Sequence, residues 1–191
     1  MKIISGKFKH KKINVPSDLT KTTKPSTSYL KLMLVNLLQH NKIISKYTQK
    51  TGLKICDMFS GTGSVGFEIA SNMDVSRVSF IDVSTNMLSA SKRTADELGL
   101  EVDTFLCDLT KGMSKVSNLY CDIVYLDPPY DIIGISGIID RIFRQNIVSN
   151  DGIVVLEWGE KKVEDIDSSI ECVFSKKAVS KTHLFFFVKK V

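Results

Sequence analysis

Apolar and polar positions set the outline of the chain. From residue 53 onward, short apolar runs alternate with stretches of near-helical spacing. The runs Leu53–Met58, 78–82, Val102–Leu106, the stretch ending at Asp127, and 152–158 read as strands. Between them, helices are expected after Gly63 to about Asn72, from the Ser84 cap to Leu98 with Gly99 as the stop, over a short piece before the fourth strand, and over 136–147. Two last runs, about 169–175 and 183–189, leave no room for a helix between them and should pair antiparallel. Strand–helix alternation over 53–158 requires a parallel sheet with helices on both faces, an α/β fold.

Ahead of this lies a different pattern. Residues 1–16 read as a small β-hairpin, and residues 17–25 as a polar linker. Pro25 and the hydroxyl residues after it signal a helix start, and Leu30, Leu34, Leu37, Leu38 and Ile44 extend it over about 27–48. The expected organisation is an N-terminal unit, 1–25, and a main domain, 26–191.

Charge sharpens the picture. The net charge is +5. Residues 1–24 hold seven lysines against Asp18 alone, so this segment carries +6 and the rest about −1. Such a concentration suits a phosphate backbone. The alternative is a solubilising terminus. No apolar run approaches the roughly 20 residues of a membrane span, and the start does not read as a signal peptide, so a cytoplasmic protein is expected. Cys56, Cys107, Cys121 and Cys172 make no C-x-x-C pair and fall in predicted strands, which predicts buried thiols in a reducing compartment. The histidines cluster with no cysteine, and no metal site is expected.

Two motifs carry chemistry. Gly61-Thr62-Gly63-Ser64-Val65-Gly66 fits G-x-G-x-x-G between a strand and a helix, where glycines let the backbone approach a ligand. Asp82, 19 residues beyond Gly63, ends the next strand and can accept ribose hydroxyls. Asp57 and Asp108 fall on the same rim, suited to an amino-acid amine and an adenine amine. Each has a plainer reading as a loop acid or helix cap. Glu68, in the new helix, is explained without catalysis by the helix dipole, and its role is left open.

The second motif is Asp127-Pro128-Pro129-Tyr130, after the run Cys121–Leu126. Each proline fixes its own φ and lacks an N–H, so the turn is a stiff ledge. A carboxylate and the Pro128 carbonyl can accept the two hydrogens of an exocyclic amine, and Tyr130 can stack on its base. A hydride enzyme has no use for such a ledge. A methyl donor beside it makes chemical sense.

On these residues the chain resembles the class I S-adenosylmethionine (SAM)-dependent methyltransferases, and within them the bacterial 16S rRNA guanine-N2 methyltransferases. The opening Ile3–Lys9 and Ile13–Pro16, the loop Asp57–Glu68 and the ledge all match. The resemblance implies a Rossmann-like, seven-stranded, mostly parallel sheet ordered 3-2-1-4-5-7-6 with strand 7 antiparallel. It implies SAM as methyl donor, held by Asp57, Phe59, Gly61, Gly63, Asp82, Val83, Asp108 and Leu109. Asp127, Pro128, Pro129 and Tyr130 would form the catalytic ledge. The implied partner is 16S rRNA within the small ribosomal subunit or an assembly intermediate, met by a monomer, with the N-terminal hairpin and helix helping to bind RNA or cover the site. The chain departs from the family over 21–31, where two arginines and paired acids are replaced by a lysine-, serine- and threonine-rich run. Competing readings are a DNA adenine-N6 methyltransferase, which generally adds a target-recognition region, and a non-catalytic RNA-binding relic of the fold.

Overall fold

A computed structural model of the chain describes residues 1–16, 27–129, 132–163, 165–178 and 182–190. The linker expected at 17–25 and the ring of Tyr130 lie outside them.

The sheet contains β1 (Leu53–Met58), β2 (Val75–Asp82), β3 (Val102–Leu106), β4 (Cys121–Leu126), β5 (Val148–Trp158), β6 (Ile170–Lys177) and β7 (His183–Lys189). Its order is β3-β2-β1-β4-β5-β7-β6. Strands β1 to β5 run parallel, and β7 lies antiparallel to both β5 and β6. The expected order and strand 7 direction are thus met. The central strands are apolar on both faces because helices cover both.

On one face, α1 (Ser28–His40), α3 (Ser64–Asn72) and α4 (Thr85–Leu98) pack against Ile55, Val78, Phe80, Ile123, Tyr125 and Val155. On the other, α5 (Ile135–Arg144) lays Ile135, Ile138, Ile139 and Ile142 onto Val124, Leu126, Val154 and Leu156. That spacing of three and four is one helical stripe. Ser84 caps α4 by accepting from Met87 N–H, and Gly99 ends it at φ +66°.

Several expectations change. The helix expected over 27–48 is broken: α1 stops at His40, and a separate turn, α2 (Ser45–Thr48), follows. Asn41 causes the break, since its Oδ1 accepts from the N–H groups of Ile43 and Ile44 in place of helical carbonyls. The N-terminal hairpin has one antiparallel bridge, Lys2 to Lys12, joined by turns rather than strands. The short helix before β4 is a single 3-10 turn, Ser114–Val116. Cys56, Cys107 and Cys121 are buried, but Cys172 is exposed, because it sits on the sheet's edge strand.

The hairpin joins the main core, with Ile3 and Ile13 buried beside α1 and α3. No helix among the described residues is long and apolar enough to cross a membrane. Among them, no cluster of His, Cys, Asp and Glu is placed to hold a metal ion.

Candidate active site

The chain order reverses between β1 and β4, the point where open α/β sheets form a crevice beyond the strands' carboxyl ends. The glycine turn leaves β1 there and the proline ledge leaves β4. Met58 and Leu126, the last residues of the two strands, are register partners. Asp127 N–H also reaches the Met58 carbonyl at 3.5 Å. Two motifs separated by more than 60 residues therefore face one crevice.

The turn is tightly held. Phe59 takes φ +58°, an unusual conformation for a bulky residue and one that concentrates at functional sites. Ser60 N–H donates to the Ile81 carbonyl, and Gly61 N–H donates to Asp82 Oδ2 at 2.7 Å. Gly63 lies at φ +75°, and a Cβ there would stand 2.6 Å from the Phe80 ring. Gly66 packs as closely, and its N–H donates to Asp57 Oδ2 at 2.9 Å. Packing requires Gly63 and Gly66, whereas Gly61 has open space around it and is favoured by its φ of +52°.

Asp57 is 2% exposed. Burial pushes its carboxyl well above the ordinary range; the Gly66 N–H opposes this, while the charges of Asp127 and Asp82 add to it. A cation beside it would offset the cost of ionising it there. Asp82 accepts from Gly61 N–H and Ser84 N–H, so it fixes the glycine turn to the start of α4. Val83 behind it is 67% exposed, an apolar surface at the rim. Ser60 Oγ is buried and has no hydrogen-bond partner among the described residues. An orphaned hydroxyl, a buried acid and close-packed glycines fit a polar cofactor with a cationic end.

Two candidates are placed differently from the rest. Asp108 accepts from Thr110 N–H and Oγ1 and pairs with Lys111 at 3.0 Å. The Thr110 and Lys111 bonds hold its pKa down to about 2. The plain loop-acid role is therefore filled. Leu109 has its side chain in the core, and its carbonyl accepts from Arg141 Nη2 of α5. On the ledge, Pro128 is buried, Pro129 is exposed, and the Pro129 carbonyl accepts from Ile132 N–H.

A family model described as Conserved hypothetical protein 95 matches residues 1–188. The chain belongs to that family. Among curated relatives, an uncharacterized methylase of Rickettsia prowazekii is 24% identical over 92% of this chain and 92% of its own length. Ribosomal RNA small subunit methyltransferase D of Buchnera aphidicola subsp. Baizongia pistaciae is 26% identical over 82% of this chain and 75% of its own. Among solved structures, a putative methyltransferase from Escherichia coli superimposes with a TM-score of 0.80 at 16% identity, covering 100% of this chain and 98% of that one. A putative methylase from Haemophilus influenzae gives 0.75 at 18% identity over 100% and 99%. The chain has the class I methyltransferase fold, as the motif resemblance implied.

Within this family fold, three features escaped the sequence. Glu68 is fully buried and accepts from Ile4 N–H, Ser5 N–H and Ser5 Oγ at 2.7–2.9 Å. It clasps the hairpin to α3, the helix that the glycine turn begins. A lone acid among Phe67, Ile69 and Ala70 was its one available signal. Lys31, in the segment that departs from the family pattern, is 2% exposed. Burial lowers its pKa, against the opposing charge of Glu68. Glu157, at the end of β5, accepts from the buried Tyr125 hydroxyl beside the ledge.

Proposed function

We propose that this chain transfers a methyl group from SAM to the exocyclic N2 of a guanine in 16S rRNA, within the small ribosomal subunit or an assembly intermediate. The observation that carries the reading is the register of Met58 with Leu126, which brings the glycine turn and the ledge to one crevice. The relatives named for small-subunit rRNA methylation support the substrate class.

SAM supplies an electrophilic methyl group on a sulfonium. Asp57 would hold its ammonium, which offsets the carboxyl's burial. Asp82 would accept from the ribose while keeping the turn closed, with Val83 against the adenine. Phe59, Gly61 and Gly63 would line the approach. Asp108 and Leu109 would reach the adenine end chiefly through backbone, since Asp108's carboxylate and Leu109's side chain are already engaged.

The N2 of guanine is a poor nucleophile because its lone pair is delocalised into the ring. Asp127 and the Pro128 carbonyl would accept its two hydrogens and turn the lone pair toward the crevice. Tyr130 would stack on the base, and the rigid prolines would keep the acceptors in place. Nitrogen gains the methyl and loses one proton, which Asp127's carboxylate would receive. Holding reactants in such geometry contributes several kcal/mol, up to about 7–11. The base must leave its stack to reach the ledge.

The test is methyl transfer from labelled SAM to unmethylated small subunits. Label in N2-methylguanosine is expected. No label in rRNA, with SAM binding intact, overturns the reading, and preferential labelling of duplex DNA favours an adenine-N6 enzyme.

A further inference from the structure

A carboxylate-and-carbonyl ledge accepts the amine of guanine or of adenine equally well. Something else at the site must separate them. The neighbouring strand offers a second carboxylate at the same level. Leu126 and Leu156 are register partners across β4 and β5. The residues that follow, Asp127 and Glu157, therefore leave adjacent strands side by side. Side chains alternate along a strand, so both belong to the face of Tyr125.

The Tyr125 hydroxyl donates to Glu157 Oε2, which ties Glu157 to β4 two residues before the ledge. Tyr125 is 1% exposed. Burial, then the charges of Asp127 and Glu157, keep it protonated and so a donor. Glu157 is itself half-buried, at the rim rather than in the core.

We propose that Glu157 is the base-specificity residue, accepting the N1–H of the target guanine while Asp127 takes the N2 amine. The inference rests on the guanine-N2 reading. Guanine alone among the four bases places two donors, N1–H and N2–H, next to each other. The amine of adenine is flanked by the N1 lone pair, and that of cytosine by the N3 lone pair. Two adjacent carboxylates attract the first pattern and repel the other two. Tyr125 acts through Glu157 as a positioning residue.

The test follows mapping of the methylated nucleotide. Small subunits are reassembled around 16S rRNA carrying guanine or 2-aminopurine there. The analogue keeps the N2 amine but has a lone pair at N1. Wild-type protein should favour guanine in kcat/KM by at least ~100-fold, since a site built around a donor rejects an analogue lacking it. Glu157→Gln can keep the Tyr125 bond through its carbonyl and donate to N1, so its preference should shrink to ~10-fold or less. Missing O6 affects both proteins and cancels in the comparison. Tyr125→Phe is the second arm: guanine turnover should fall while 2-aminopurine turnover holds. A preference unchanged in both variants overturns the assignment of Glu157. A wild-type protein that methylates no guanine overturns the function reading instead.

Discussion

At the scale of single residues, Gly63 and Glu68 do the most with the least. Gly63→Ala meets both a left-handed backbone and the Phe80 ring 2.6 Å away. It should cost about 2–4 kcal/mol, read as a lower denaturant midpoint, with SAM binding lost. Glu68→Ala leaves the Ile4 and Ser5 N–H groups without their acceptor. About 2–3 kcal/mol should be lost, with faster hydrogen exchange at those two amides. Asp57 gives the pH prediction. Its folded pKa is raised, mainly by burial, so the stability it contributes is complete below the ordinary carboxylate range and is lost as pH rises through the folded value. Asp57→Asn should remove that slope in urea titrations across pH. SAM binding should have the opposite dependence, strengthening as Asp57 ionises, with proton release measurable by calorimetry in buffers of different ionisation enthalpy.

At the scale of elements, local signals decided well where punctuation was clear. Ser84 and Gly99 bracket α4 as the spacing of caps predicts. Ser84→Ala should cost about 1 kcal/mol in thermal unfolding and leave turnover nearly intact, because Asp82 still accepts the backbone N–H at position 84. The first long helix is shorter than its periodicity predicts because its apolar repeat continues through Ile44 while Asn41 offers its side chain to the backbone. Periodicity reports which residues are buried, and Ile44 is buried. It does not report whether the backbone stays helical between them. For β2 and β5, the strands begin earlier than expected, at Val75 and Val148, because neighbours in the sheet supply hydrogen bonds that weak local propensity does not.

For the whole molecule, the lysines of residues 1–16 project from a unit clasped to α3 rather than from a loose tail. Lys7, Lys9, Lys11 and Lys12 are all exposed. Changing these four to Gln should weaken binding to small subunits uniformly across rRNA sequences and flatten the plot of log K against log salt by up to ~4. Filter binding at several salt concentrations reads both effects, and a fold unchanged by circular dichroism separates them from damage to the core.

The sequence by itself determined the number and order of the strands from 53 onward, because burial writes its period into neighbouring residues. It also carried the two motifs, because each packs its chemistry into one contiguous turn. Only the tertiary structure decided that Met58 meets Leu126, that Glu68 holds a segment 63 residues away, and that Leu156 meets Leu126. Those facts depend on strand order and register. Register is set by the summed packing of whole faces and leaves no mark on any single residue.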